Sequence, residues 1–262
     1  MNERFEGIVL FQRKHREHDA LVKIFTEDYG TKMFFVRGLQ KPNHRLTSQL
    51  IPLTVNHYIG NINEEGLSFL KEANTIEIHR EIQIDYMKQA YSSYVTQLVD
   101  AAINDNTPDQ ALYEMLKKAL ELMNSDVSYE AITISMEIKL LRYFGFDIHF
   151  DRCRICGTTV QPFDFSMKLQ GVLCQKHFHE DSFRMHIAPK AMFIASRLDL
   201  ASLHQINSIQ VSQETIQELR RLMDEIYKEF VGINLKSKSY LNNLDTLSAS
   251  MQDVIRKRHK SD

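Results

Sequence analysis

The sequence predicts an α+β protein: a small closed β-barrel followed by an all-helical domain with an inserted cysteine-containing knuckle. Residues 1–80 carry five short segments rich in β-branched and aromatic side chains, separated by turn residues. From residue 81 onward the apolar side chains recur at helical spacing instead. All three cysteines lie within residues 150–185. We therefore expect a barrel domain over residues 1–80 and a helical domain over residues 81–262, with the knuckle at residues 150–185.

The barrel prediction rests on the length and number of the strand segments. The candidates are FEGIVLFQR (5–13), ALVKIFTED (20–28), TKMFFVRG (31–38), PLTVNHYIGN (52–61) and GLSFLKEANTIEIH (66–79). Tyr29-Gly30 joins the second and third segments as a hairpin, and Asn63-Glu64-Glu65-Gly66 joins the last two. Because closure removes exposed strand edges, five strands of this length favour a closed barrel over an open sheet.

The helical prediction rests on apolar stripes and on residues that begin or end helices. The candidates are a helix from Met87 to Ala102, one opened by Thr107-Pro108 and continuing to Met123, an apolar helix over residues 131–146, one from Ser212 to Gly232, and a last one marked by Leu241, Leu244, Leu247, Met251 and Val254. Because AITISMEIKLLRYFGF (131–146) is apolar on nearly every side, we expect it in the middle of the bundle.

Composition excludes several classes of protein. The chain has 262 residues, 43% hydrophobic residues and a net charge of −2, as in an ordinary globular protein. It has no apolar run of about 18 residues that would span a membrane. The start, MNERFEGIVLF, lacks the pattern of a signal peptide, so we expect a cytoplasmic protein. The sequence shows no catalytic constellation, and we predict that the protein is not an enzyme.

The cysteines have the spacing of a metal site. Cys153 and Cys156 form C-x-x-C, and Cys174 and His177 form C-x-x-H after a spacer of seventeen residues. Zinc takes four thiolate or imidazole donors in a tetrahedron, and two knuckles separated by roughly 15–20 residues supply them. We predict one Zn²⁺ held by these four side chains, with His179 as the competing candidate for the fourth ligand.

Two other interpretations of the cysteines remain open: buried free thiols that happen to be neighbours, and a redox C-x-x-C pair, which normally opens a helix in a βαβ unit. If metal is bound, four protein ligands leave no open coordination position for water or substrate, so the zinc would be structural.

Basic side chains are concentrated in the first domain. Residues 11–46 carry eight Lys or Arg side chains against four Asp or Glu, in a chain that is negative overall. Such side chains neutralise phosphates and drive sequence-independent nucleic-acid binding. The candidate DNA contacts are Arg13, Lys14, Arg16, Lys32, Arg37, Lys41, His44 and Arg45. Phe34 and Phe35 lead into the basic loop, where each is either a core residue or a platform for base stacking.

Beyond these properties, the chain resembles the RecO family of bacterial recombinational-repair proteins over essentially its whole length. The likeness is carried by GIVLFQRKHREHDALVKIFTEDYGTKMFFVRGLQKPNHRL (7–46), LLRYFGFDIHFDRCRICG (140–157) and FDFSMKLQGVLC (163–174). Within the first stretch, Asp19 is the turn acid, Phe25-Thr26 to Gly30 the hairpin, and Gly38 to Arg45 the basic loop. Gln40, Asn43 and His44 stand where relatives carry denser basic residues, and His177 where many have a fourth cysteine.

The resemblance implies an OB-fold barrel, a helical domain and a structural zinc knuckle. It also implies a non-enzymatic mediator of DNA repair and recombination that binds single- and double-stranded DNA and anneals complementary strands. The implied protein partners are RecR, the C-terminal tail of the single-stranded-DNA-binding protein (SSB) and, indirectly, RecA. The implied location is the nucleoid-associated cytoplasm. The alternatives are a protein-interaction adaptor that the SSB tail recruits, with incidental DNA binding, and a zinc enzyme acting on nucleic acid.

Overall fold

The first domain is a closed barrel of five strands. The structure is a computed structural model that describes residues 2–206 and 210–244. The strands are β1 (Glu3–His15), β2 (Asp19–Thr26), β3 (Gly30–Val36), β4 (Val55–Asn61) and β5 (Ser68–Glu77). They close in the order β1-β2-β3-β5-β4, with β4 returning to β1; β3 and β5 pair in parallel and the other neighbours antiparallel. The predicted five-stranded barrel, with OB-like strand order, is confirmed.

The barrel has its own aromatic core. The Phe5 ring stacks on Phe34, with ring centroids 5.7 Å apart, and on Tyr58 at 5.4 Å. The long loop between β3 and β4, residues 37–54, buries three leucines in the same core: Leu39, Leu46 and Leu50. This burial fixes the loop against the barrel even though the loop contains no helix or strand.

The second domain packs helices around one buried helix. The helices are α1 (Arg80–Ile84), α2 (Tyr86–Ala102), α3 (Gln110–Asn124), α4 (Tyr129–Leu140), α5 (Pro189–Leu200) and α6 (Gln213–Ile226), followed by a π-helical turn (Tyr227–Val231). All residues of α4 from Ala131 to Leu140 are buried, which confirms the predicted central helix. No helix of the described residues has the length and apolar character needed to cross a lipid bilayer.

Helix ends differ from the prediction in several places. The second predicted helix begins at Gln110, because the Asp109 carboxylate accepts a hydrogen bond from the backbone N–H of Leu112 and Thr107-Pro108 stay in the preceding loop. Helix α5 was not predicted, although Pro189 at its first position is a known start signal. Residues 236–244 are helical, and the rest of the last predicted helix lies outside the described residues.

The knuckle is a β-hairpin inserted between α4 and α5. Strands β6 (Phe163–Ser166) and β7 (Gly171–Cys174) pair antiparallel, and a 3₁₀ turn (Gln175–Glu180) follows directly. Every residue of both strands is buried, and the hairpin's apolar side chains belong to the core of the helical domain. The knuckle is therefore part of that domain's packing.

An ion-pair network joins the two domains. The Lys23 ammonium, on the outer face of β2, lies 2.6 Å from Asp100 in α2 and 2.7 Å from Asp105 in the loop between α2 and α3. The Thr31 hydroxyl donates to Asp105 at 2.7 Å. Burial alone lowers the pKa of Lys23, but the two carboxylates outweigh it and raise the pKa above its usual value. Lys23 thus joins the domains and is not a free cation of the basic stretch.

Candidate nucleic-acid interface and metal centre

The three cysteines and His177 come together in the knuckle. One donor atom from each of Cys153, Cys156, Cys174 and His177 lies within 4.8 Å of the others. The first pair sits in a tight turn closed by Gly157, whose backbone φ of +67° suits glycine and whose N–H donates to the Cys153 carbonyl at 2.8 Å. Strand β7 ends on Cys174, and the 3₁₀ turn then returns the His177 ring to the sulfurs.

The separations between the donors match a tetrahedral zinc site. Zn–S bonds of about 2.3 Å and Zn–N bonds of about 2.1 Å place sulfurs about 3.8 Å apart, and sulfur and nitrogen about 3.6 Å apart. The Cys156 and Cys174 sulfurs are 3.8 Å apart. The His177 Nδ1 atom lies 3.6 Å from the Cys153 sulfur and 3.3 Å from that of Cys174. The four residues therefore fit a metal ion of this size.

The geometry chooses between the two candidate histidines. His179 is largely exposed, and its Nε2 atom lies 3.3 Å from the Glu180 carboxylate, whereas His177 Nδ1 faces the sulfurs. His177 is thus the fourth member of the cluster, as the C-x-x-H spacing predicted.

The surroundings favour deprotonated sulfur at one position. Burial raises the pKa of the Cys153 thiol, but hydrogen bonds from the backbone around Cys156, Cys174 and Ile155 and from the His177 ring lower it to about 6. The pKa of Cys174 is raised, by burial first and then by the Cys153 sulfur. Thiolates are the metal-binding form, so the apo cluster already provides one such ligand near neutral pH.

Asp164 fixes the knuckle to the helical domain. This buried carboxylate on β6 accepts hydrogen bonds from the backbone N–H of Ile187 at 3.0 Å and of His186 at 3.2 Å, and lies 3.0 Å from the Arg184 guanidinium. The hairpin is thereby tied to the segment that leads into α5. Cysteine spacing could not reveal this tie, which stabilises the scaffold around the donors.

A second set of side chains lies on the barrel, where the basic loop is held beside the β1–β2 turn. The Asp19 carboxylate accepts a hydrogen bond from the backbone N–H of Gly38 at 2.8 Å, and the Gln40 N–H donates to the His18 carbonyl at 2.9 Å. These bonds bring together cations that are far apart in sequence.

Most of the predicted DNA-contacting side chains are exposed there. The exposed members are Arg13, Lys14, Arg16, Arg37, Lys41 and Arg45. His44 is half-buried, and its Nδ1 atom accepts a hydrogen bond from the backbone N–H of Leu46 at 3.3 Å. The Arg45 guanidinium donates to the Lys71 carbonyl, which places the end of the loop beside β5.

Lys32 requires a correction. It lies opposite Ile24 in the β2–β3 ladder and alternates with Phe34 on the interior face of the barrel. Its side chain is buried, its ammonium donates to the Asn63 carbonyl at 3.0 Å, and burial lowers its pKa. Lys32 therefore does not belong with the exposed cations.

The outer face of the same sheet presents aromatic side chains. Strand pairing aligns Arg13 with Leu21, Leu21 with Phe35, and Phe35 with Phe69, so these side chains share one face. The Phe35 ring meets His15 edge-on at 6.0 Å and Phe69 at 6.2 Å. Phe69 is 46% exposed, whereas Phe34 is buried in the core. Sequence reasoning missed Phe69, since the β3–β5 pairing that aligns it is long-range.

Comparisons with known proteins agree with this description. The family model for the Recombination protein O N terminal region matches residues 1–79, and that for its C terminal region matches residues 83–239. A protein named DNA repair protein RecO from Enterococcus faecalis is 40% identical over 255 residues, 97% of each chain. Relatives of the same name from Lactiplantibacillus plantarum and Streptococcus pyogenes are 38% and 40% identical, covering 92% and 91% of this chain and 93% and 94% of their own.

Proposed function

The chain belongs to the RecO family of DNA repair proteins, and from this membership and the barrel surface we propose a non-enzymatic recombination mediator. In this role it binds single- and double-stranded DNA and anneals complementary strands. The tail of SSB recruits the protein to SSB-coated single strands, and there, together with RecR, it helps RecA load. The protein acts in the nucleoid-associated cytoplasm. The observation that carries the proposal is the set of exposed cations on the barrel, Arg13, Lys14, Arg16, Arg37, Lys41 and Arg45, called here the cationic face. Strand pairing aligns Arg13 of this set with Phe35 and Phe69 on the outer face of the sheet.

The cationic face suits DNA because it offers two kinds of contact. The guanidinium and ammonium groups neutralise phosphates and release counterions, which requires no particular base sequence. Phe35 and Phe69 supply rings on which unpaired bases stack, a contact worth about 1–3 kcal/mol per base. Annealing needs no bond to be made or broken by the protein, because neutralised strands approach each other without mutual repulsion. His44 lies at the edge of this face as a further contact.

The test is the salt dependence of binding to a fluorescent single-stranded oligonucleotide. In the Arg37→Ala, Lys41→Ala, Arg45→Ala triple variant we expect weaker binding and a log–log salt slope reduced by about 2, since each lost phosphate contact contributes about 0.7. The matched control removes three exposed lysines elsewhere, Lys168, Lys190 and Lys236, and should keep the slope. A triple variant with wild-type affinity and slope would show that this face does not hold DNA.

The aromatic contribution is tested separately. Phe35→Leu keeps an apolar side chain on the outer face but removes the ring, so single-strand affinity should fall while duplex affinity stays nearly constant. Equal losses for both forms of DNA would contradict base stacking at this position.

An adaptor function is distinguished by titrating the SSB tail peptide into the protein. If the peptide binds while the wild-type chain shows no salt-dependent DNA affinity, the protein is an adaptor and DNA binding is incidental.

For the metal centre we propose one structural Zn²⁺ per chain. Cys153, Cys156, Cys174 and His177 would hold it, and the ion would fix the two ends of the knuckle to each other. The donor separations support this assignment. Elemental analysis of protein purified without chelators should give one zinc per chain; a metal-free, folded protein would overturn the assignment.

A further inference from the structure

The three cysteines of the metal cluster differ in their access to solvent. Cys153 and Cys174 are buried, at 2% and 4% exposure, whereas Cys156 is exposed. Cys156 stands in the tight turn closed by Gly157, where its neighbour Ile155 is exposed as well. A small oxidant in solution therefore reaches Cys156 in preference to the other two cysteines.

An open cleft leads from solvent to this cysteine. The cleft has a volume of about 240 Å³, and Cys156 and Cys174 both line it, together with the polar residues Thr158, Gln161 and Gln175. It is large enough to admit a molecule of two oxygen atoms, such as hydrogen peroxide. The cleft thus brings a small polar oxidant to two of the three sulfur-bearing residues.

Cys174 is placed to react with an oxidised Cys156. Their sulfurs are 3.8 Å apart and come from the two different segments of the knuckle. Cysteines that sense oxidants are accessible thiolates beside a second cysteine that attacks the oxidised sulfur. A bound metal ion keeps the sulfurs that coordinate it deprotonated. In the metal-loaded knuckle, Cys156 and Cys174 therefore meet each part of this description.

We propose that Cys156 is a site of oxidation by hydrogen peroxide, and that its oxidation releases the metal ion reversibly. This inference rests on the zinc centre of the proposed function. Cytosolic disulfides in proteins of this kind are usually transient and redox-sensing, which is the class of modification proposed.

The oxidation proceeds in two steps. The Cys156 thiolate attacks one oxygen of the peroxide, the O–O bond breaks, and the products are a sulfenic acid on Cys156 and a hydroxide ion. The Cys174 thiolate then attacks the Cys156 sulfur, the S–O bond breaks, and a disulfide forms as a second hydroxide ion leaves. Each sulfur loses one electron, and these two electrons reduce the peroxide to two hydroxide ions.

The metal ion leaves because two of its four donors are lost, and a structural zinc site needs four. Cys153 and His177 remain as donors. The knuckle itself stays closed, because the new disulfide joins the same two segments that the ion joined. The Ser166 hydroxyl also donates to the Asp181 carboxylate at 2.6 Å, and Asp164 still ties the hairpin to the segment before α5. A folded oxidised chain can be reduced and can bind zinc again.

The experiment treats the full, zinc-loaded chain with hydrogen peroxide. It measures released zinc with a chromogenic chelator, free thiols by titration and the disulfide by mass spectrometry. We expect one zinc released per chain, a fall from three thiols to one, and a disulfide between Cys156 and Cys174. A dithiol reductant with added Zn²⁺ should then restore the thiols and the zinc. Retained zinc with all three thiols, or a disulfide that contains Cys153, would overturn the inference.

Cys156→His is the matched variant, because histidine is an ordinary zinc donor that cannot form a sulfenic acid. It should hold zinc and release it in peroxide at least about ten-fold more slowly than the wild type, and release at the wild-type rate would show that another cysteine is oxidised first. Trapping with dimedone, a reagent for sulfenic acids, gives an independent readout in the wild-type chain. The adduct should lie on Cys156, and an adduct on Cys153 or Cys174 instead would contradict the assignment.

Elemental analysis before the peroxide is added separates this inference from the proposed function. A chain that holds no zinc at the start contradicts the zinc assignment and this inference with it, whereas a chain that holds zinc and keeps it contradicts this inference alone. Far-UV circular dichroism of the oxidised chain should equal that of the reduced chain. A loss of the helical signal would show that oxidation unfolds the domain, and would contradict a reversible release.

Discussion

Asp19 provides a sharp test of how the cationic face is built. Its carboxylate accepts the hydrogen bond from the Gly38 backbone that holds the basic loop beside the β1–β2 turn. Asp19→Ala removes this acceptor, whereas Asp19→Asn keeps an oxygen acceptor and removes the charge. The two variants thus separate the positioning of the loop from the electrostatics of the surface.

The two effects have opposite signs for DNA affinity. Loss of a negative charge strengthens attraction to a phosphate about 8 Å away by only about 0.5 kcal/mol in water. Loss of the anchor frees loop residues that must be ordered again on binding, at about 1–2 kcal/mol of backbone entropy per residue. We therefore expect Asp19→Ala to bind single-stranded DNA about five-fold more weakly, and Asp19→Asn to bind as tightly as wild type or slightly tighter.

Protein stability gives an independent measurement. A hydrogen bond to a charged acceptor contributes about 1.5–3 kcal/mol, and since Asp19 is only half-buried we expect about 1–2 kcal/mol for Asp19→Ala in urea denaturation. Asp19→Asn should lose less than half of that. If Asp19→Ala is as stable as wild type and binds DNA more tightly, the lost negative charge alone explains the affinity. The Asp19–Gly38 hydrogen bond then does not hold the basic loop in place.

Three further predictions concern the fold and the metal. Gly30→Ala should destabilise the protein by about 2 kcal/mol more than Gly66→Ala in chemical denaturation, a typical overpacking cost. Both glycines have positive φ, but a Cβ on Gly30 would lie 2.3 Å from the Thr107 carbonyl oxygen and one on Gly66 would meet nothing; equal losses would contradict the domain contact. Cys156→Ala should abolish zinc in elemental analysis and lower the free energy of unfolding by more than about 4 kcal/mol. Because Cys156 is exposed, lost packing cannot explain such a change, and a zinc-loaded variant of normal stability would refute the ligand set. Burial raises the pKa of Asp105, but hydrogen bonds to it lower the pKa overall, so its stabilising effect is present above its unfolded pKa of about 3.9 and is lost as pH falls. The free energy of unfolding of Asp105→Asn should then fall less steeply than that of the wild type between about pH 5 and 2. The same pH dependence in both proteins would contradict the ion pair with Lys23.

Local pattern was sufficient for much of the fold. Segments rich in β-branched and aromatic residues, separated by turn residues, predicted the five strands, and the ligand spacing predicted the Cys153, Cys156, Cys174 and His177 cluster. Both features are set by residues close in sequence. The buried helix α4 was predictable for the same reason, since it is apolar on nearly every side.

The errors have physical causes that differ from one residue to the next. Lys32 was grouped with the exposed cations by composition, yet the two-residue period of β3 places it with Phe34 inside the barrel. That period was present in the sequence. By contrast, Lys23 pairs with Asp100 and Asp105, and Phe69 lies beside Phe35, through contacts between segments far apart in the chain. No local pattern specifies such contacts.

The most direct test of the central claim is annealing of complementary strands coated with SSB, followed by fluorescence with and without the protein. The claim is that exposed cations on the barrel hold DNA phosphates without any chemical step. Wild-type protein should accelerate annealing in the absence of nucleotide, and the Arg37→Ala, Lys41→Ala, Arg45→Ala variant should not, although it stays folded. Annealing by that variant at the wild-type rate would contradict the claim.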